Sequence, residues 1–335
     1  MSARKFSTDA LLGCLPFVCV LFGCGARTEP GTVTVSFVGD ILLDSAPGQS
    51  IARGQDPFAP TQPLFRGVDL SIGNLECPVA NGGTPVDKVY TFRADPRTLP
   101  ILRQHFAAVS VANNHSGDYG PDAFRETLQQ LRAAGVPYFG GGNDATEAHK
   151  PLLLTKNGIK IALLGYDEYH PRSFEASATR PGVAWAEDEQ ILFDIEQARR
   201  AGANVVLPFF HWGWENEPAP CTRQRELAEK LIDAGADAVI GSHPHVTQGA
   251  EMYRGKPIIY SLGNFVFDLL DQPENHRGWV LRLVLDRAGV ARFSTSAVRI
   301  DDQGTPAPDP SVATPCGQRG DATTTPCAGS AMLSP

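Results

Sequence analysis

The sequence is poor in cysteine and has no CxxC pair. Three of its seven cysteines lie within the first 24 residues, and Cys77 and Cys221 are isolated from any other cysteine. Zinc sites built from thiolates use closely spaced cysteines, so the sequence argues against this class of site. Cys77 and Cys221 are expected to be small buried or loop residues. Cys316 and Cys327 lie near the C-terminus, where an oxidising compartment would permit a disulfide.

An excess of positive charge is also absent. The 335 residues include 29 Lys and Arg against 37 Asp and Glu, which gives a formal net charge of −8. Residues 1–24 contain two basic residues and one acidic residue, so the charge without them is −9. An acidic surface disfavours nucleic acid and the nonspecific binding of anionic polymers. An anionic substrate would therefore need a local site, such as a metal ion.

The N-terminal apolar stretch, residues 11–22, is too short to span a bilayer comfortably. It follows Arg4 and Lys5, which is the pattern of an export signal. The stretch ends in LFGC, which resembles the lipobox of bacterial lipoproteins and makes Cys24 the expected site of lipidation. LLGC, which ends at Cys14, is a rival motif but leaves no full apolar region before it. Whether the signal is cleaved or remains as an anchor, the body of the chain is expected outside the cytoplasm, attached to a membrane of the cell envelope.

The rest of the chain has the pattern of an α/β protein without internal repeats. The predicted strands cover residues 32–40, 158–166, 204–212, 237–245 and 256–265, and the predicted helices cover residues 121–135, 187–203 and 222–236. Strands that alternate with helices predict a mostly parallel sheet. Asn157-Gly158 and Ala288-Gly289 predict hairpin turns.

The predicted organisation is therefore a signal peptide over residues 1–24, a linker over 25–32 and one domain over 33–300. After Asp301 the composition turns to Thr, Pro, Ala and Gly, with almost no large apolar residues. Such a composition predicts a flexible tail over residues 301–335.

Polar side chains that can bind metal ions lie at the ends of the predicted strands and of two further short apolar runs, in SIGNLE (71–76) and AAVSVANNHSGD (107–118). They are Asp40, Asn74, Glu76, Asn113, Asn114, His115, Asp118, His211, His243, His245 and Asn264. In an open α/β sheet the carboxyl ends of the strands lie along one edge, where ligands bind. Carboxylate oxygen, amide oxygen and imidazole nitrogen suit Mn, Fe or Zn. We therefore expect a divalent metal site, with ordinary polar loop residues as the alternative. His243 and His245 are two residues apart and would project to the same side of an extended segment.

Seven motifs resemble the CapA family of poly-γ-glutamate capsule synthesis proteins. They are FVGD (37–40), GNLE (73–76), TFRA (91–94), ANNHSGDYG (112–120), FHWGWE (210–215), GADAVIGSHPHV (235–246) and YSLGNFVFD (260–268). The family is similar to the calcineurin-like metallophosphoesterases. The resemblance implies an α/β/β/α sandwich of two mixed sheets flanked by helices.

The resemblance also implies roles for individual residues. The implied metal ligands are Asp40, Asn114, His211, His243 and His245, with Asn74 or Glu76 at the bridging position. His115 corresponds to the catalytic histidine. The chain departs from the phosphoesterase pattern in having Leu42 where a histidine is usual and Ser116 where an acid is usual, with Asp118 as the nearest substitute. Whether one or two ions bind is left open.

Three further residues are expected to contact a substrate. Arg93 has a forked set of donors that suits a carboxylate or a phosphate, with a surface ion pair as the alternative. Asn264 and Trp212 are assigned to the same role, although packing beneath the loop is the alternative for Trp212 or Trp214. His115, oriented by Asp118, would protonate a leaving group.

Two functions fit these expectations. The first is a metal-dependent hydrolase of an anionic polymer or a phosphoester. The second is a non-catalytic component that binds poly-γ-glutamate within a capsule assembly machine that has membrane synthase subunits. The missing histidine at Leu42 favours binding, whereas His115 and Asp118 favour catalysis. A purely structural surface lipoprotein would leave the polar strand ends unexplained.

Overall fold

The computed structural model describes residues 31–327. The predicted signal peptide, Cys24 and most of the predicted linker lie outside the described residues, as do residues 328–335. Within residues 31–327 the chain forms eighteen strands, which are β1 (Val33–Ile41), β2 (Leu70–Leu75), β3 (Ala108–Ser110), β4 (Tyr138–Phe139), β5 (Gly141–Gly142), β6 (Leu152–Lys156), β7 (Ile159–Asp167), β8 (Gly182–Val183), β9 (Val205–His211), β10 (Val239–Ser242), β11 (Thr247–Tyr253), β12 (Lys256–Leu262), β13 (Asn264–Val266), β14 (Arg277–Asp286), β15 (Gly289–Ile300), β16 (Pro306–Pro308), β17 (Pro315–Gln318) and β18 (Thr325–Pro326).

Six α-helices connect these strands within the same residues. They are α1 (Ser45–Ala52), α2 (Leu99–His105), α3 (Gly120–Ala133), α4 (Ala145–Ala148), α5 (Asp188–Arg200) and α6 (Thr222–Asp233). Short 3₁₀ helices cover Ala59–Phe65, Pro96–Thr98 and Pro273–His276. The three predicted helices are present as α3, α5 and α6. None of the helices in residues 31–327 is both long enough and apolar enough to cross a membrane.

The strands form two large mixed sheets and one small one. The first sheet has the order β18-β17-β15-β14-β1-β2-β3-β4, with β13 beside β1 and β16 beside β15. The second has the order β11-β12-β10-β9-β7-β6, and β5 pairs with β8 separately. In the first sheet β1, β2, β3 and β4 are parallel, and β14 and β15 run antiparallel beside β1. In the second sheet β7, β9, β10 and β12 are parallel, and β6 and β11 are antiparallel at its two edges. The carboxyl ends of β1, β2, β9 and β10 therefore meet in one region.

The two large sheets pack face to face between helices. The rings of Phe37 from β1 and Phe209 from β9 meet edge to face at 5.5 Å within a shared apolar core. The outer face of the first sheet packs against Leu102 of α2 and Leu128 of α3. The outer face of the second sheet packs against α5 and α6, where Ile195 is fully buried. These four layers confirm the predicted α/β/β/α sandwich.

The predicted hairpins are also present. Asn157 and Gly158 join β6 to β7 with φ angles of 48° and 75°, which are the left-handed values that a type I′ turn requires. β14 and β15 pair in antiparallel fashion on either side of Ala288.

The prediction of a flexible tail is wrong for residues 301–327. β16 and β17 both pair with β15, and a disulfide joins Cys316 to Cys327 across the β17–β18 hairpin. Side chains reinforce the pairing, because the hydroxyl of Thr314 donates to the carbonyl oxygen of Thr295 at 2.7 Å. The composition is low in apolar residues, but the exposed backbone of β15 offers hydrogen bonds that a polar segment can use. The domain therefore extends beyond the predicted boundary at residue 300.

Candidate metal centre

The ends of β1 and β2 bring Asp40 and Asn74 together. The two residues are neighbours in the parallel ladder, and Asn74 Nδ2 donates a hydrogen bond to Asp40 Oδ1 at 2.8 Å. Asn74 is held in turn, because its amide oxygen accepts a 3.0 Å hydrogen bond from Asn113. Gly39 is required here, since a Cβ atom would lie 1.7 Å from the carbonyl oxygen of Gly263. The absence of that Cβ lets β1 pass beside the connection between β12 and β13 and places Asp40 in the site.

Glu76 follows β2 and carries its carboxylate into the middle of the site. Both carboxylate oxygens are buried and have no hydrogen-bond partner within the part of the chain that the structure describes. Oε1 instead lies 3.6 Å from Nε2 of His211, 3.7 Å from Nε2 of His245 and 3.9 Å from Nε2 of His115. Burial is the main cause that raises the pKa of Glu76 well above its usual value, and the charge of Asp40 adds to the effect. A buried carboxylate that faces imidazoles and lacks a partner is an arrangement that a cation would stabilise.

His211 ends β9 and faces the ends of the first sheet. Its Nε2 atom lies 2.8 Å from Asn114 Oδ1 and 3.0 Å from His243 Nδ1. Its Nδ1 atom lies 4.0 Å from Asp40 Oδ1. Burial is the main cause that lowers the pKa of His211 well below its usual value, and the charges of His243 and His245 add to the effect. A neutral imidazole keeps a lone pair available for a metal ion.

His243 and His245 follow β10 in an unusual backbone conformation. Their φ angles of 97° and 56° are positive, whereas an extended segment was expected from the sequence. Non-glycine residues in this region carry backbone strain, which is concentrated at functional sites. Both side chains still face the site, because His245 Nδ1 lies 3.3 Å from Asp40 Oδ2 and 2.9 Å from Asn264 Oδ1. Burial, and after it the charge of His245, lowers the pKa of His243 to about 3.

His115 and Asp118 form a pair beside these residues. His115 Nδ1 lies 2.7 Å from Asp118 Oδ2, and the ring of Phe92 lies against the imidazole with centroids 4.4 Å apart. Asp118 Oδ2 also accepts a 2.9 Å hydrogen bond from the backbone N–H of Phe92. Burial lowers the pKa of His115, although the hydrogen bond to Asp118 opposes this effect. The Nε2 atom of His115 is the one that faces Glu76.

The donor set fits a divalent metal ion. The structure brings together all seven predicted ligands, namely Asp40, Asn74, Glu76, Asn114, His211, His243 and His245. Two overlapping groups, Glu76 with His243 and His245 and Asp40 with Glu76 and His211, each offer ligand atoms within 4.8 Å of one another. Carboxylate oxygen and imidazole nitrogen in this combination suit Mn, Fe or Zn. The unpartnered oxygens of Glu76 are the observation that supports the fit.

The prediction that Trp212 contacts a substrate is wrong. Its side chain is fully buried, stacks on Phe210 with centroids 4.5 Å apart and donates its indole N–H to the carbonyl oxygen of Tyr260 at 2.9 Å. Adjacent residues at a strand end point in opposite directions, so His211 faces the site while Trp212 faces the core. Trp214 is the exposed member of the pair, with 63% of its surface accessible.

Asn264 and Arg93 have different surroundings from those expected of substrate-binding residues. Asn264 is fully buried, and its amide oxygen holds His245, so it supports a ligand and does not reach a substrate. Arg93 donates from Nη1 to the carbonyl oxygen of Gly82 at 3.0 Å, and its guanidinium lies 4.4 Å from the ring centroid of Tyr119. A role for Arg93 in substrate binding stays a prediction.

Two residues of the site were missed by sequence reasoning. Lys88 contacts both His115 and Asp118 from an irregular segment, which has no periodicity to reveal it. Asp167 ends β7 opposite His211, and burial raises its pKa to about 7. The signal for Asp167 was present, because β7 is an apolar strand that ends in an acid like the others.

Two mixed sheets between helices, with Asp, Glu, Asn and His clustered at their strand ends, define the fold class of the calcineurin-like phosphoesterases. The fold matches the calcineurin-like phosphoesterase YfkN from Bacillus subtilis with a TM-score of 0.50 and 15% identity, over 79% of this chain and 90% of that one. It matches a 5′-nucleotidase precursor from Thermus thermophilus with a TM-score of 0.52 and 14% identity, over 82% of this chain and 56% of that one. At these identities the likeness concerns the fold alone.

Sequence comparison identifies the family within this fold class. The family model described as bacterial capsule synthesis protein PGA_cap matches residues 34–269. The chain is 34% identical to the PGA biosynthesis protein CapA of Bacillus subtilis (strain 168), over 82% of this chain and 73% of that protein. It is 31% identical to the capsule biosynthesis protein CapA of Bacillus anthracis, over 72% of this chain and 61% of that protein. The chain belongs to this family, which confirms the resemblance seen in its motifs.

Proposed function

We propose that the chain is a lipid-anchored, metal-dependent hydrolase that acts outside the cytoplasm in poly-γ-glutamate capsule synthesis or export. Its substrate in this proposal is an anionic polymer or a phosphoester. Membership of the capsule synthesis family supports the biological role. The observation that carries the chemistry is the Glu76 carboxylate, which is buried without a hydrogen-bond partner among the described residues and faces three imidazoles.

Each residue of the site has a role in this proposal. The ion would be held by Asp40, Glu76, Asn114, His211, His243 and His245, with Asn74 orienting Asp40. A bound divalent ion supplies Lewis acidity and lowers the pKa of a coordinated water. His115 is the candidate proton donor to the leaving group, because its Nε2 atom faces Glu76 while Asp118 holds Nδ1.

The location outside the cytoplasm has support from the body of the chain. The disulfide between Cys316 and Cys327 lies in the C-terminal part of the domain. Structural disulfides persist in oxidising compartments and are rare in the cytosol. This agrees with an export signal over residues 1–24 and with lipidation at Cys24, which stay proposals.

A non-catalytic poly-γ-glutamate-binding component is the second candidate. Leu42 stands where the phosphoesterase pattern has a histidine, and its side chain is fully buried in the apolar core behind β1. That position therefore offers no ligand to a second ion. A site with fewer ligands than a two-metal hydrolase favours binding, whereas the His115–Asp118 pair favours catalysis.

The test is a hydrolysis assay on protein comprising residues 25–335, supplied in turn with Mn, Fe and Zn salts. The substrates are a phosphodiester, bis-p-nitrophenyl phosphate, and a γ-glutamyl polymer. We expect product release that is lost in His115→Gln and kept in His105→Gln. His105 is a matched control because it also pairs with a carboxylate, and this pair lies away from the site. Its Nε2 atom is 2.8 Å from Oδ2 of Asp56. Binding of the polymer without any product would reject the hydrolase in favour of the binding component.

A further inference from the structure

The side chain of Lys88 connects an exposed segment to the candidate catalytic pair, beside a 2.9 Å hydrogen bond from the backbone N–H of Val86 to the carbonyl oxygen of Asp118. Every residue from Asn81 to Tyr90 is exposed except Lys88, whose side chain is only 25% exposed. Its neighbour Val89 is 89% exposed. The segment is tied down near its start and end, where Gly82 binds Glu126 and Phe92 is buried. Lys88 and the backbone of Val86 therefore anchor the second half of the segment against the site.

The ammonium group of Lys88 lies among acceptors of the 114–118 segment. Nζ donates to the carbonyl oxygen of Asn114 at 3.0 Å and to Asp118 Oδ1 at 3.0 Å. It also lies 3.2 Å from His115 Nδ1. Asp118 is almost fully buried, and Lys88 is the one Lys or Arg within ion-pair distance of it in the part of the chain that the structure describes. Charge-assisted hydrogen bonds to a buried carboxylate are among the strong ones in proteins.

These contacts bear on the tautomer of His115. Its Nδ1 atom cannot both accept a hydrogen bond from Lys88 and donate one to Asp118. The distance of 2.7 Å to Asp118 Oδ2 is shorter than the 3.2 Å to Lys88 Nζ, so donation to Asp118 is the better-formed bond. Nδ1 then carries the proton of the neutral ring, and Nε2, which faces the metal centre, is the atom that must gain a second proton before His115 can donate one.

We propose that Lys88 is a positioning residue that acts on His115 through Asp118. Its ammonium group holds Asp118 in place, so that Asp118 fixes the ring and the tautomer of His115. The proposal rests on the proposed function, because it assigns His115 the role of proton donor. Without Lys88, Asp118 would be a buried carboxylate without a cationic partner, and its hold on His115 would weaken.

The primary test does not depend on catalysis. Metal-free protein labelled with ¹⁵N in histidine is compared by NMR with Lys88→Met, and the signals of His115 are assigned by their loss in His115→Gln. We expect the Nδ1–H tautomer in the unmodified protein and a mixture of tautomers in Lys88→Met. Unchanged His115 signals in Lys88→Met would overturn the proposal.

Two further variants guard against a trivial loss of fold. Lys88→Arg keeps the charge and is expected to keep the Nδ1–H tautomer. If Lys88→Met does not fold, the decisive comparison is between Lys88→Arg and Lys88→Gln. Lys230→Met is the matched control, because Lys230 forms a 2.8 Å ion pair with Asp188 on the exposed surface. A tautomer change in Lys230→Met equal to that in Lys88→Met would also reject the specific role of Lys88.

A kinetic measurement separates positioning from substrate binding. If the chain is a hydrolase, Lys88→Met is expected to lower kcat by roughly tenfold or more with KM within about twofold, because the proton donor is misplaced. A higher KM with unchanged kcat would mean that Lys88 binds the substrate directly, which overturns the positioning role. If the unmodified protein releases no product, the proposed function fails, whereas the NMR comparison still decides on Lys88.

Discussion

The Oε1 atom of Glu76 lies 3.7 Å from the Nε2 atom of His245, and neither oxygen of that carboxylate has a hydrogen-bond partner among the described residues. Folding removes Glu76 from water without giving it a donor in return. Such burial is costly for an ionised group unless a cation shares the site. The relationship between these two residues is therefore the strongest structural argument for a metal ion.

Glu76 and Asp194 provide a matched comparison of two buried carboxylates. Asp194 accepts hydrogen bonds from Tyr166 and Gln190 and contacts His149, whereas Glu76 has no partner in residues 31–327. In metal-free protein we expect Asp194→Asn to lower the free energy of unfolding by about 1–3 kcal/mol, because satisfied hydrogen bonds are lost. Glu76→Gln is expected to lower the free energy of unfolding by less than about 1 kcal/mol, or to raise it. Urea unfolding in the presence of EDTA measures the free energy of unfolding of both variants. An equal loss of stability in the two would contradict the account.

Metal addition should stabilise the protein through Glu76. A ligand that binds only the folded state contributes about 2.7 kcal/mol when its concentration is 100 times its Kd. We expect Mn, Fe or Zn salts to raise the Tm of the unmodified protein and to leave the Tm of Glu76→Gln nearly unchanged. Differential scanning fluorimetry with and without EDTA measures this shift. A rise of the same size in both proteins would place the stabilising ion elsewhere.

The two tryptophans near His211 should differ in their effect on stability. Trp212 is fully buried and hydrogen-bonded to Tyr260, whereas Trp214 is 63% exposed. We expect Trp212→Ala to lower the free energy of unfolding by about 3–5 kcal/mol, because it opens a cavity in the core. Trp214→Ala is expected to change stability by less than about 0.5 kcal/mol. Chemical denaturation compares them, and a small effect of Trp212→Ala would show that the residue is not a core residue.

The sequence alone predicted where the site lies but not how its residues are held. Asp40, Glu76 and His211 all follow apolar strands, and parallel strands bring their carboxyl ends to one edge, so pattern and topology were sufficient. His243 and His245 were placed correctly, but their positive φ angles depend on tertiary contacts that local patterns do not record.

Other features were missed for identifiable physical reasons. Trp212 lies next to His211, and alternation along a strand sends neighbouring side chains to opposite sides, so Trp212 enters the core. Lys88 comes from an irregular segment, whose path is decided by long-range contacts with Asp118. The order of residues 301–327 comes from backbone pairing with β15 and from a disulfide, neither of which composition reveals.

The disulfide should stabilise the C-terminal part of the domain. Cys316 and Cys327 are 11 residues apart, and the bond closes the β17–β18 hairpin against β15. Disulfides typically contribute about 2–4 kcal/mol, chiefly by restricting the unfolded chain. We expect the double change Cys316→Ser and Cys327→Ser to lower stability by about this amount and to expose residues 301–327 to proteases. Equal stability and equal protease resistance with and without the bond would argue against this role.

The most direct test of the account is the metal content of untagged protein comprising residues 25–335, measured by elemental mass spectrometry. We predict about one or two equivalents of a transition metal, lost in the double variant His243→Ala and His245→Ala. The double variant His105→Ala and His149→Ala, which alters histidines paired with Asp56 and Asp194 instead, should keep the metal. No bound metal, even after incubation with Mn, Fe or Zn salts, would contradict the metal centre and with it the proposed hydrolase.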